Sequence, residues 1–192
     1  MTGEAASSDT VAAEKFPPEF KRIIQEGGNS SKQVFNVNET GFFWKRMPER
    51  TYISKEEKSI IEFKAAKDRL MLLLGANATD DFKLKPMLIS RAANPQALEG
   101  YSKDHLPVIY KAWITGAIFS QWLNMYAVPT MKEYCAKKDL NFKILLIFDN
   151  ASAHPPNLGD FHDSVKVVFL PPNTTALMQP IDQGVIASFK AY

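Results

Sequence analysis

The alternation of apolar and polar residues predicts three strands in the first half of the chain. Residues 33–38 alternate in the manner of a half-buried strand. An apolar run follows at 68–75, and a second extended segment at 82–90 is joined to it through the polar turn 77–81. The last two segments predict a hairpin, and the three together predict one side of a sheet.

The second half predicts a helix followed by two more strands and a closing helix. Thr115 suits an N-cap, and apolar residues recur after it at helical spacing: Ile118, Trp122, Met125 and Tyr126. Pro129 is expected to interrupt or restart this helix. The unbroken apolar run 143–148 predicts a central strand buried on both faces, 165–170 predicts another strand, and 182–192 a helix. The pattern predicts an α/β fold, with a mixed central sheet flanked by helices.

The N-terminal residues predict an appendage. Residues 1–14 are small, polar and acidic, and Phe16-Pro17-Pro18 is expected to break the chain before a short helix at 19–26. We therefore predict a partly flexible appendage or linker at 1–31 and a folded domain at 32–192.

Composition and charge narrow the function classes. With 45% hydrophobic and 23% charged residues, the chain has the composition of a folded domain, and the single Cys135 permits no internal disulfide. A formal charge of +2 supplies no broad positive field, so any DNA contact must come from local patches. No signal peptide or transmembrane run is recognised in the sequence, and no membrane partner is expected.

Polar residues follow the predicted strands where ligands collect in α/β proteins. Asn38-Glu39 is expected to close the first strand, Asp149-Asn150 closes the most buried one, and Asp182 opens the final helix. Carboxylates gathered at one sheet edge suit Mg²⁺ or Mn²⁺. The residues leave a second interpretation open, in which Asp149 ends a strand or caps a helix and Asp182 is a first-turn acidic residue.

Several motifs carry a resemblance to a known family. They are VFNVNETG at 34–41, FWKRMP at 43–48, LLLGANA at 72–78, FKLKP at 82–86, AWIT at 112–115, LLIFDN at 145–150, LPPNTT at 170–175, QPIDQG at 179–184 and FKAY at 189–192. In this order they resemble the DDE endonuclease domain of the pogo/Tigger group of transposase-derived proteins. The resemblance covers nearly all of the chain.

The resemblance implies an RNase H-like fold, here incomplete at its C-terminus, with three acidic residues that hold two divalent ions, Mg²⁺ or Mn²⁺, for nicking and transferring DNA strands. By position, Asp149 and Asp182 are the second and third acids. The first position carries Asn38 where the family motif has an aspartate. Asparagine brings a carbonyl oxygen but no charge, so we expect impaired catalysis and, if the site is not functional, no metal requirement.

Other residues receive accessory or binding roles. Glu39 is expected to face away from Asn38, since adjacent strand residues point to opposite faces. The accessory candidates of the site are His154, Asn150, Glu39 and Gln183. The candidates for following a DNA backbone are Lys45, Arg46, Lys83 and Lys85, although a solvated surface is the favoured interpretation of these cations.

Three functions remain open at this point. They are an impaired domain that binds nucleic acid or protein, a residual Mg²⁺- or Mn²⁺-dependent DNA endonuclease, and a transposon remnant without activity. The family's helix-turn-helix modules are expected ahead of the endonuclease domain, and only 37 residues precede Asn38, so weak DNA binding is expected. A nuclear location follows from the resemblance alone.

Overall fold

The computed structural model describes residues 8–43, 69–113, 115–149, 158, 161–186 and 188–189. Within these residues the strands are β1 (Val34–Phe43), β2 (Arg69–Asn77), β3 (Met87–Ser90), β4 (Ile109–Ala112), β5 (Ile144–Phe148) and β6 (Val165–Phe169). The helices are α1 (Thr10–Gly27), α2 (Gly116–Trp122), α3 (Val128–Lys137) and α4 (Thr175–Met178), with π-helical turns at Leu123–Ala127 and Asp182–Ile186 and short 3₁₀ turns at Ser31–Gln33, Gln96–Leu98 and Lys103–His105. No described helix has the length and hydropathy needed to cross a membrane.

The six strands form one mixed sheet in the order β4-β3-β2-β1-β5-β6. β2 is antiparallel to both β1 and β3, whereas β1 with β5, β3 with β4, and β5 with β6 are parallel pairs. All strands except β2 therefore run in one direction. Their carboxyl ends lie at the same edge of the sheet, which we call the carboxyl edge.

The helical run from α2 to α3 covers one face of the sheet. Thr115 accepts a hydrogen bond from the Ile118 N–H at 3.3 Å, which confirms the predicted N-cap. Pro129 does not end the helix, because it occupies the first turn of α3, where a missing N–H costs little, directly after the π-helical turn. Buried residues of this face include Phe35, Leu146, Phe148, Phe119, Trp122 and Met131.

Helix α1 covers the other face and corrects the predicted break at Phe16-Pro17-Pro18. The helix contains both prolines, because Asp9 caps its first turn and Phe16 packs on Val34 and Leu145. The Phe16 and Phe20 rings stack 5.6 Å apart, one helical turn from each other. Since Pro17 and Pro18 are exposed, water can bind the carbonyls that lose their helical N–H partners.

The predicted strands are otherwise confirmed, with three differences. β1 runs on to Phe43, because its pairing with β2 continues to Phe43↔Arg69, so Asn38 lies inside the strand rather than at its end. Only Met87–Ser90 of the segment 82–90 is strand, although Lys83 makes an isolated bridge to Ala76. The third difference is β4, which was not predicted.

The closing helix predicted at 182–192 is only partly described. It contains the π-helical turn Asp182–Ile186 and a helical pair at 188–189, and residues 190–192 lie outside the described part.

Candidate functional site

The register of two parallel strands places Asn38 and Asp149 side by side. β1 and β5 pair as Val34↔Leu145, Phe35↔Leu146 and Asn36↔Ile147, a constant separation of 111 positions. Continued by two residues beyond the last of these pairs, the same separation matches Asn38 with Asp149, the residue directly after β5. Because side chains alternate along a strand, both positions share the face that carries Val34 and Leu145.

A buried asparagine brings Asp182 to the same region. The Asn36 amide donates to the Ile147 carbonyl at 3.3 Å, and its Oδ1 accepts from the Ile181 N–H at 3.2 Å. The Gln179 amide, fully buried, donates to the Val37 carbonyl at 3.2 Å. These bonds fix the chain just before Asp182 against β1.

Neither Asn36 nor Gln179 was among the candidates from the sequence. The available signals were the polar Asn36 in an apolar strand, two residues before Asn38, and the place of Gln179 at the head of QPIDQG. Both are positioning residues, because they act on the backbone rather than at the site itself.

The orientation of the Asn38 amide decides what this position offers a ligand. The side chain is 4% exposed, and its Oδ1 accepts a hydrogen bond from the Glu39 N–H at 2.7 Å. Only the oxygen can accept that bond, so the amide cannot be flipped. Its Nδ2 is buried and has no partner among the residues described, and the same holds for Gln179 Oε1. The Asn38 oxygen is therefore already occupied, and its buried N–H donor is unpaired among the described residues.

These residues fit a pair of divalent ions poorly. Asp149 and Asp182 are half-buried carboxylates of the kind that Mg²⁺ and Mn²⁺ prefer. Asn38 carries no charge, and its oxygen already accepts the Glu39 N–H. No group of three or more His, Cys, Asp or Glu side chains suited to a metal occurs in the described parts of the chain. Among the described residues, these three positions supply two charged ligands where a two-ion site calls for a third.

Glu39 does not stand in for the missing carboxylate in this backbone. β1 pairs with β2 residue by residue from Phe35↔Asn77 to Phe43↔Arg69, without a bulge at Glu39. Glu39 thus alternates with Asn38 and falls on the face of Val37, the face covered by α2 and α3.

The remaining candidates are dispersed. The exposed Gln183 donates to the Leu177 carbonyl, within its own segment. Lys83 forms an ion pair with Asp80 at 3.0 Å, and the backbone N–H of Lys85 donates to the Tyr126 hydroxyl at 2.9 Å. The candidates Lys45, Arg46, Asn150 and His154 lie outside the described residues.

A carboxylate with a strongly lowered pKa, Asp81, lies elsewhere in the fold. Hydrogen bonding to Asn77, together with the Lys138 ammonium at 2.9 Å and hydrogen bonds with Thr79 and Tyr134, holds the pKa of Asp81 well below its usual range. Because β2 runs opposite to β1, Asp81 follows β2 at the edge opposite Asp149. This low pKa marks a structural network and not the candidate site.

Comparison with known proteins finds a matching family model and relatives that cover almost the whole chain. The family model described as "DDE superfamily endonuclease" matches residues 67–192. The human Jerky protein homolog is 37% identical over 98% of this chain and 34% of its own length, and the human Tigger transposable element-derived protein 7 is 33% identical over 97% and 36%. The chain thus spans about a third of the length of these relatives.

Two solved structures show the same fold. The Mos1 strand transfer complex has a TM-score of 0.55 at 14% identity, covering 100% of this chain and 49% of that one. The pre-cleavage Mos1 transpososome has a TM-score of 0.56 at 11% identity, covering 100% and 50%. The expected RNase H-like fold is confirmed by this likeness.

Proposed function

Because this chain belongs to the DDE superfamily endonuclease family, in its pogo/Tigger group, we propose that it is a DNA-binding domain with impaired endonuclease chemistry. The observation that carries the proposal is the buried Asn38 amide, which brings no charge and whose oxygen already accepts the Glu39 N–H. DNA is proposed as the partner because the family is one of endonucleases and the solved relatives are a strand transfer complex and a transpososome.

The impairment follows from charge. Divalent ions in this chemistry neutralise the charge that develops on the oxygens of a phosphoryl displacement. Asp149 and Asp182 would hold such an ion, but a neutral amide at Asn38 does not offset the repulsion between two ions. If the missing carboxylate costs about 4 kcal/mol of transition-state stabilisation, the rate falls about a thousandfold.

The test is restoration of the missing acid. Asn38→Asp is expected to nick supercoiled plasmid DNA in Mn²⁺, while the unchanged chain gives no nicking above background. The double variant Asn38→Asp with Asp149→Asn controls for contaminating nuclease and should be inactive. Nicking by the unchanged chain at the rate of Asn38→Asp contradicts the proposed impairment.

A thermal melt over a Mn²⁺ titration separates binding from catalysis. A ligand selective for the native state stabilises it by about 2.7 kcal/mol at a hundred times Kd. We expect Asn38→Asp to be less stable than the unchanged chain without metal, because it buries a third carboxylate, and to gain stability with Mn²⁺. Asn124→Asp, which makes the same change at an exposed position, should not respond.

Residual endonuclease activity is the second candidate, because Asp149 follows β5 beside β1, and Asp182 follows Ile181, which is bonded to Asn36 of β1. It requires slow Mn²⁺-dependent nicking by the unchanged chain that Asp149→Asn abolishes. Nicking indifferent to Asp149→Asn excludes it. A nuclear location and a domain spanning 32–192, with α1 packed on one face of its sheet, belong to both proposals.

A further inference from the structure

Trp113 combines an unusual backbone with an exposed ring. Its φ is 61°, in the left-handed region that bulky residues seldom adopt, and its side chain is 59% exposed. The conformation costs free energy, and an exposed indole recovers little of it by packing within the chain. Folding alone therefore does not account for a tryptophan at this position.

Register places a cation beside this tryptophan. β3 and β4 pair from Met87↔Ile109 to Ser90↔Ala112, so the next matched positions are Arg91 and Trp113. The Trp113 N–H donates to the Ser90 carbonyl at 2.8 Å, which continues the parallel ladder to this point. Arg91 and Trp113 are hence neighbours at the carboxyl edge.

The loop that carries Arg91 is anchored by side chains. The Tyr110 hydroxyl donates to the Ala92 carbonyl at 2.6 Å. The Lys103 ammonium donates to the Ala93 carbonyl at 2.6 Å and lies 5.4 Å from the centre of the Tyr110 ring. Because these bonds hold its backbone, the surface is organised before any ligand arrives.

The described residues leave two cations of this surface without an ion pair. Arg91 is exposed, and neither Arg91 nor Lys111 forms an ion pair with any residue that the structure describes. An exposed indole flanked by unpaired cations matches a nucleic acid strand, whose bases stack on aromatic rings while its phosphates attract arginine and lysine.

The position also suits a strand that reaches the candidate site. Asp149 follows β5 at the same carboxyl edge, and the sheet order separates β5 from β4 by three intervening strands. At about 4.8 Å per strand this is roughly 19 Å. A DNA strand covers that distance in about five or six nucleotides at 3.4 Å each.

We propose that Trp113 and Arg91 form a stacking platform for an unpaired nucleobase, with the indole against the base and Arg91 and Lys111 on the neighbouring phosphates. The inference rests on the proposed DNA-binding function and locates one DNA contact at the carboxyl edge of the sheet. A base presented there must be unpaired, so the platform favours single-stranded ends or distorted DNA over regular duplex.

The experiment measures binding of a fluorescent single strand of about 12 nucleotides by anisotropy, within the range of site sizes known for such surfaces. Trp113→Ala is expected to raise Kd about tenfold, the effect of losing one base stack. Trp113→Phe keeps a ring and should keep most of the affinity. Arg91→Ala should lower the slope of log K against log salt by about 0.7, a slope that Trp113→Ala leaves unchanged.

Matched controls are Tyr101→Ala, an aromatic that is also exposed, and Lys132→Ala on the exposed side of α3. Both should bind like the unchanged chain, and thermal melts verify that all variants fold. If Trp113→Ala binds the oligonucleotide like the unchanged chain, the proposed stacking platform is wrong, whereas the proposed DNA-binding function is unaffected. If the unchanged chain binds no oligonucleotide, single-stranded or duplex, the proposed function fails and the platform with it.

Discussion

Asn36 and Asn38 occupy neighbouring positions on one face of β1 and use their amides differently. Asn36 bonds at both ends, to Ile147 and Ile181, whereas Asn38 bonds through its oxygen alone among the described residues. A buried amide that satisfies both groups ties segments together, and one that leaves its donor unpaired costs stability. Asn36 is thus the structural member of the pair.

Asn36→Ala is expected to lower the free energy of unfolding by about 2 kcal/mol, because it leaves the Ile147 carbonyl and the Ile181 N–H without their partner in a buried region. Urea denaturation measures the change. Asn124→Ala removes an exposed amide bond to the Ser120 carbonyl and should change stability by less than about 0.5 kcal/mol. Equal losses in the two variants contradict the bridging role of Asn36.

At the scale of elements, the sequence predicted the helices and strands whose formation depends mainly on their own residues. The N-cap Thr115 and the apolar run of β5 are local signals, and both appear where expected. Helix α1 and β4 depend on partners distant in sequence: Phe16 on Leu145, and β4 on β3 through Ser90↔Ala112. Tertiary packing therefore outweighed the tendency of Pro17 to break the helix. The residues of β4 show no strand pattern of their own, so its pairing with β3 could not be predicted.

Two elements are joined by the Asp81 network, which predicts a pH dependence. Its carboxylate, in the turn after β2, accepts from the Tyr134 hydroxyl of α3 at 2.8 Å and pairs with Lys138. Because folding lowers the pKa of Asp81, its contribution to stability is present above the unfolded pKa of about 3.9 and is lost as pH falls below it.

We therefore expect the free energy of unfolding of the unchanged chain to fall more steeply between about pH 5 and pH 2 than that of Asp81→Asn. Chemical denaturation at each pH measures both slopes. Asp104→Asn, at an exposed position ahead of β4, is the charge-matched control. Parallel curves for the unchanged chain and Asp81→Asn would contradict a contribution of Asp81 to the loss of stability at low pH.

At the scale of the whole molecule, one sheet carries a core on each face. One core lies beneath α2 and α3, and the other lies beneath α1 and includes Phe16, Ile147 and Leu170. Sequence reasoning found the strands that share these cores, and its assignment of Asp149 and Asp182 to the family's acidic positions stays a prediction. It could not find the amide orientation of Asn38, since that depends on the Glu39 backbone N–H.

The second core predicts that α1 is integral to stability. Phe16→Ala is expected to lower the free energy of unfolding by about 3 kcal/mol, because it empties a site that is 7% exposed. The control Val11→Ala, at a helix position 58% exposed, should cost less than about 0.5 kcal/mol. Urea denaturation of both variants distinguishes them, and a negligible effect of Phe16→Ala would make α1 a detachable segment.

The parallel pairing of β1 with β5 also implies a delay in sheet formation during biosynthesis. β1 lies in the middle of the sheet, yet its partner on one side is separated from it by 111 positions. At about 5–20 residues per second, the ribosome needs roughly 6–22 s to supply that partner. During this interval β1 would be an open edge of the nascent sheet, whose unpaired backbone N–H and C=O groups can pair with a neighbouring chain.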